Sequence, residues 1–555
     1  MKKLITVFFL LISILEAQTA SVININHIYL PFNNEGILAD VNYGSSGAFG
    51  RYDDNVFLFS GGFALTGFAD SLLWGNAVLS SSLILDYQSG LIGGDPTDEK
   101  NIIYSISKDD PPFGDAWQKW TDAVELGADF YDGNGNGYYD PIDHNNNSEW
   151  DNNEDRPGLL YDETYFTVYN DGVQSEKRRW NTIEPLGIEI RQTIFASNRN
   201  EELATAVFIK YSILYKGLGE TTDLDSLTDV IFSIWTDTDI GLYSHEDDTG
   251  GSDTTLQSGY TYNFDKVDEE WGVNPPAVFK VFVQGPLVKS NPNDKGYNKK
   301  GPHMGLIEYP GYRNSKLGAY VNIYSGDIMP ISNSVETVRN YMFGLKSNGV
   351  EVDPCNFFYG DVFGEIRCED VNAQYWFNGF PEDNYGWIST SGGDCFDQTS
   401  SEKFTLVKNE PMDIIVAYVV GRGSDNLNSI TRAREITQYV HEEYQRNFST
   451  LASVENNNED LPTQFYLSQN YPNPFNPATK IKYTIGVVDE NFRPLQTQLI
   501  VYDILGRKVK TLVNEVKSPG TYEITFDASQ LASGVYFYRL TSGNLVQTKK
   551  MILLR

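Results

Sequence analysis

Basic residues are scarce in this chain of 555: 42 Lys and Arg stand against 75 Asp and Glu, a formal net charge of −33. Such a field repels phosphate backbones, so nucleic acid is not an expected partner. Histidine is rarer, with five copies, and none forms an H-E-x-x-H pair, because His441-Glu442-Glu443 lacks the second histidine. Neither a G-x-S-x-G elbow nor a P-loop occurs, which removes two common routes to catalysis. The three cysteines, Cys355, Cys368 and Cys395, match no zinc spacing. An odd count permits one bridge and leaves one thiol. One local disulfide is expected, with three buried thiols or a catalytic cysteine as alternatives.

Long apolar runs are also missing beyond the first residues. Lys2 and Lys3 precede a twelve-residue apolar stretch, Leu4 to Leu15, and Leu15-Glu16-Ala17 follows. A membrane span needs about 20 apolar residues. Residues 1–17 therefore read as a secretory signal peptide cut at or near Ala17. No cysteine adjoins the cut, which argues against a lipid anchor. The mature chain is expected to lack a transmembrane segment and to reach the cell surface or the extracellular space through the periplasm.

What the chain has in quantity is aromatics, 14 % of residues with 35 Tyr and 31 Phe, together with 48 Gly. That mixture favours short strands joined by turns. Apolar, β-branched runs recur at Ala204–Tyr215, Asp229–Trp235, Ala277–Val283 and Asp413–Val420, each bounded by turn residues. One helix is expected near 426–447, capped by Ser424 or Asp425, with Leu427, Ile430, Ile436, Val440 and Tyr444 at helical spacing. These features give a mainly β fold with an acidic, sandwich-like body at 18–448. A polar stretch at 449–462 reads as a linker. Residues 463–555 reverse the sign of charge, with eleven Lys or Arg against six Asp or Glu, and are expected to fold separately.

This tail contains FYLSQNYPNPFNPATKIKYTI (465–485), LIVYDILGRKVKTLV (499–513), GTYEITFDASQLASGVYFYRL (520–540) and TKKMILLR (548–555). Turn chemistry separates the strands at Asp503–Arg507, Pro519-Gly520, Ser533-Gly534 and Ser542–Asn544. Val535, Phe537 and Arg539 are read as the inward set, alternating against Tyr536, Tyr538 and Leu540. The rhythm predicts a seven-stranded antiparallel β-sandwich of immunoglobulin type. On these motifs together, the segment resembles the type A C-terminal sorting domains of the type IX secretion system. The resemblance implies recognition by outer-membrane secretion machinery and removal by a sortase-like protease. It also implies release of the cargo or its attachment to surface lipopolysaccharide. The body is similar, at LFSGGFALTGFADSLLWGNAV (58–78), GADFYDGNGNGYYDP (127–141) and GSDNLNSITRAREI (423–436), to large extracellular proteins that carry the same tail, a likeness that assigns no activity.

The densest candidate chemistry lies between Asp132 and Glu154. In an EF-hand-type frame, Asp132, Asn134 and Asn136 take positions one, three and five; Gly137 makes the turn, Tyr138 offers its carbonyl, Asp140 holds the ninth position and Asp143 the twelfth. Asp143 opens a second frame with Asn145, Asn147, Glu149, Asp151 and Glu154. A loop wound around a hard cation points alternate side chains inward, which is why this spacing signifies calcium. Two frames sharing one aspartate resemble thrombospondin type 3 repeats, and the first loop resembles dockerin loops, although no amphipathic helix follows it. Ser148 stands where the second frame calls for Gly. A second acidic group, Asp237, Asp239, Asp247, Asp248 and Asp253, is a further calcium candidate, because crowded carboxylates repel unless a cation or solvent intervenes. Trp117, Trp120, Trp150 and Trp180 would suit a sugar-stacking platform, though core packing is the expectation. Two functions follow: a calcium-stabilised surface protein doing structural, adhesive or binding work, glycans included, or a glycan-directed hydrolase whose carboxylate pair is set by the fold.

Overall fold

The computed structural model describes residues 19–41, 49–78, 86–218, 224–241, 245–324, 334–448, 465–485, 495–517, 520–542 and 545–554. The expected signal peptide and linker lie outside these residues. The chain divides into two compact units, Met1–Ala452 and Ser453–Arg555.

The first unit is built on two large antiparallel sheets. One runs in the order Leu317–Tyr324, Cys395–Ser401, Ser226–Asp237, Ser60–Ala69, then Leu38–Ala39, Ile28–Asn33, Gly50–Tyr52 and Asn55–Leu58. The other runs Asp248–Asp253, Ser258–Asn263, Ala277–Gln284, Met412–Gly421, Ala206–Tyr215, Ile188–Ala196, Glu163–Asn170 and Gln88–Ser89. Their facing sides share one core, in which Phe63, Phe232 and Tyr211 meet at centroid distances of 5.1 to 5.5 Å. Lys280 and Asp397 cross that core as a buried pair at 2.6 Å, bridged by the Thr261 hydroxyl.

The second sheet is covered on its other face too. Helix Asn426–Gln445 lays Ile430, Ala433, Ile436, Val440 and Tyr444 on Phe195, Phe208, Phe279, Ala417 and Val419. Burial on both faces explains why its strands read as near-continuous apolar runs instead of alternating ones. The helix starts where Asp425 accepts the Asn428 amide at 2.8 Å, so Asp425 is the cap. Sheet and helix approach closely at Gly421, where an added Cβ would lie 2.2 Å from the Ala433 nitrogen. Helix Asp115–Glu125 buries Trp117 and Trp120 against Tyr104, Ile106, Phe166 and Val168. Helix Val335–Tyr341 covers the outer side of the first sheet with Trp180, Trp235 and Phe396. Cys355 is bonded to Cys368, and Cys395 is a buried thiol in its strand.

In the second unit, Tyr466–Leu467, Ala478–Ile485 and Gly520–Asp527 form a three-stranded sheet. Lys508–Lys517, Leu495–Asp503, Gly534–Ser542 and Leu545–Leu553 form a four-stranded one. Together they enclose Leu467, Ile481, Tyr483, Val501, Phe526, Tyr538, Leu540 and Met551, a seven-stranded sandwich. The Asp503–Arg507 turn closes as expected: Asp503 accepts the Leu505 and Arg507 amides while Gly506 takes φ +76°. The inward face of Gly534–Ser542 is the reverse of the one expected. Tyr536, Tyr538 and Leu540 are buried, and Arg539 is exposed. The Tyr538 hydroxyl donates to the Ser468 carbonyl at 2.7 Å and accepts the Asn470 amide, which lets its polar tip enter the core.

Candidate metal centre

Residues 132–155 fold back on themselves, closed at the base by the short ladder Phe130–Tyr131 with Arg156–Pro157. Tyr139 pins the loop to the neighbouring helix by donating its hydroxyl proton to the Trp117 carbonyl at 3.0 Å. In the first turn, the two Asp132 oxygens accept the amides of Gly135, Asn136 and Gly137. Asn134 and Asn136 both turn their carboxamides to Asp140 Oδ1, at 2.9 and 3.3 Å.

The second turn repeats this arrangement eleven residues later. Asp143 accepts the Asn147 and Ser148 amides, and Asn145 and Asn147 converge on Asp151 Oδ2 at 2.7 and 3.1 Å. The backbones correspond as well. Gly135 and Gly137 take φ +72° and +82°, and their counterparts Asn146 and Ser148 take +57° and +61°. Ser148 therefore adopts the conformation for which glycine was the expected residue, and Glu149 and Tyr138 occupy equivalent, exposed places.

Each turn is also held by one buried carboxylate. Glu154 accepts the His144 amide at 2.8 Å and the Asp151 amide at 3.0 Å. Asp155 does the same for the first turn, accepting Gly133 and Asp140 amides, each at 3.0 Å. The sequence frame gave Asp143 to both turns. In the structure Asp143 caps the second, and the buried carboxylate that accepts amides of the first is Asp155. Burial pushes the Asp155 carboxyl up, and the hydrogen bonds Asp140 takes from Asp155, Asn134 and Asn136 hold its own down. Two carboxylates this close share a proton or a cation. The oxygens of both turns suit calcium, which takes six to eight hard ligands.

The second acidic group is divided. The oxygens of Asp237 and Asp239 lie within 4.8 Å of one another and of Asp394, a residue the sequence reading missed. Asp394 is far along the chain and arrives because the strand that follows it, Cys395–Ser401, pairs with Ser226–Asp237. Asp248 sits beside this trio. Asp247 instead accepts from the Asn263 carboxamide at 2.9 Å, and burial raises its carboxyl to about 6. Asp253 is ion-paired with Arg434, which also holds Glu382 at 2.9 Å.

No shared platform is formed by the four tryptophans. Trp117 and Trp120 are buried in one core cluster, Trp150 packs at the edge of that cluster with the Arg156 guanidinium 4.6 Å from its ring centroid, and Trp180 is buried in another cluster. A cavity of about 470 Å³ does open elsewhere, between Tyr324, Tyr341, Phe357, Tyr359, Trp376 and Lys346, and its lining includes no carboxylate.

Residues 469–554 match the family model described as the secretion system C-terminal sorting domain. The chain is thus a protein carrying a type IX sorting tail, marked for export to the cell surface or the extracellular space and for engagement with that machinery. Among the described residues, no helix is long and apolar enough to cross a membrane. No curated protein matches the chain. Solved structures with some likeness include a polysaccharide lyase, at 8 % identity and a TM-score of 0.20, covering 66 % of this chain and 34 % of that one. The adhesin domain of Epf from Streptococcus pyogenes matches at 10 % identity and a TM-score of 0.12, over 71 % of this chain and 92 % of that one. PorZ, a surface component of the type IX secretion system of Porphyromonas gingivalis, matches at 11 % and 0.12, over 72 % and 42 %. The chain spans about a third of the lyase's length. At these scores none of the three bears on what this chain does.

Proposed function

We propose that this is an exported surface protein whose body is stabilised by calcium at residues 132–155 and does structural, adhesive or binding work. The reading includes removal of residues 1–17 as a signal peptide, and of the sorting domain by a sortase-like protease at the outer membrane. Glycans or surface lipopolysaccharide are the partners it would meet there. The observation that carries the calcium reading is the internal repetition: two turns share one spacing, one set of left-handed positions and one pattern of buried carboxylate anchoring.

Two bound divalent ions would offset four of the six negative charges that Asp132, Asp140, Asp143, Asp151, Glu154 and Asp155 concentrate in one loop. At about a hundred times its dissociation constant, each ion would add about 2.7 kcal/mol to stability. Chelator should lower the melting temperature of the protein, and Asp132→Ala should remove a large part of that shift. A melt unchanged by chelator would sink the calcium reading.

A further inference from the structure

The trio Asp237, Asp239 and Asp394 differs from the exposed double loop in that two of its members are buried and the third is half-buried. Asp237 is 7 % exposed and Asp239 8 %. Asp237 ends the long central strand Ser226–Asp237, where it pairs with Ser60 on one side and Phe396 on the other. The acids nearest it are Asp239 and Asp394, whose oxygens lie within 4.8 Å of its own. No lysine or arginine is ion-paired with Asp237, Asp394 or Asp248 among the described residues. Two other buried acids of this fold do have a cation, Lys280 for Asp397 and Arg434 for Asp253. Beside the trio stands another acid.

That further acid is Asp248. Its Oδ2 accepts the amide of Ile240, the residue after Asp239, at 3.0 Å. Its backbone carbonyl accepts the amide of Gly393, the residue before Asp394, at 2.9 Å. Asp248 is thus tied through its carboxylate to the neighbour of one trio member and through its backbone to the neighbour of another; it is 1 % exposed, and its other carboxylate oxygen, Oδ1, has no hydrogen-bond partner among the described residues. A buried carboxylate oxygen without a donor costs free energy, and a second acid nearby makes the cost larger. A divalent cation removes both penalties at once.

We propose that Asp237, Asp239 and Asp394 hold one buried divalent cation, with Asp248 closing the site beside them. Oxygen-only donors of this charge select a hard ion, calcium first. The ion would rivet the end of a central strand to the loop that leads into Cys395–Ser401 and to the first strand of the other sheet, Asp248–Asp253. The site is independent of the double loop, and of the stability the loop ions would add.

The test is calcium stoichiometry by equilibrium dialysis of the full chain, beside melting curves with calcium and with chelator. Three ions per chain are expected, two from the loops and one from the trio. Asp394→Asn should lose one ion, and so should Asp248→Asn or show its affinity for that ion lowered at least tenfold. The loop variant Asp132→Ala/Asp143→Ala should keep one. In chelator, Asp394→Asn should melt at or above the wild type, because it removes a repelling charge; in calcium it should melt below. That crossing would not arise from a merely structural aspartate. Unchanged stoichiometry in Asp394→Asn, or a variant that melts lower in both conditions, overturns the proposal and leaves the loop reading intact. Loss of ions in Asp394→Asn but not in the loop variant would do the opposite.

Discussion

Glu154 and Asp155 are adjacent in the chain and serve different turns. Glu154 was legible because it falls at the twelfth place of a local frame. Asp155 was not, because its target amides on Gly133 and Asp140 lie 22 and 15 residues back and are reached only after the loop has doubled over. The same holds for Asp394, which long-range strand pairing brings to Asp237. Spacing within one turn is a sequence property, whereas a carboxylate delivered by the fold is not. Asp155→Asn should therefore be as damaging as changing a residue of the visible motif. It should cost about 1–3 kcal/mol by leaving buried amides with a poorer acceptor, read as a lower melting temperature, and should abolish binding at the first turn. A melt matching the wild type with calcium present would mean that Asp155 anchors nothing.

At the scale of elements, the helix Asn426–Gln445 was readable from its cap and its spacing, since both are local. The strands were readable as strands, but which face they bury was less so. A sheet covered on both sides has no polar face to mark the outside, which is why Ala206–Tyr215 and Met412–Gly421 are apolar almost throughout. In Gly534–Ser542 the alternation was plain, yet its phase was set by Tyr538, whose hydroxyl finds Ser468 and Asn470 across the sandwich. The helix is predicted to be a principal source of stability for its sheet. Ile436→Ala, at a site fully enclosed against that sheet, should cost about 2–5 kcal/mol in chemical denaturation. A loss below about 0.5 kcal/mol, the range of ordinary surface changes, would show that the helix is loosely attached.

For the molecule as a whole, the reversal of charge near residue 463 and the sorting-domain motifs divide the chain by role: an acidic body with the candidate metal chemistry, and a basic tail that directs export. The tail was legible because its turns and strands follow one another without long-range insertions, so that each motif stays contiguous. The body's activity was not, because its acidic and aromatic residues are drawn together from distant segments. The most direct measurement is the location of a chain lacking residues 463–555, followed by surface protease accessibility and by fractionation in a host with a working type IX system. The account predicts accumulation of the truncated protein in the periplasm, protected from external protease, while the full chain reaches the surface or the medium. Normal surface delivery of the truncated chain would contradict it.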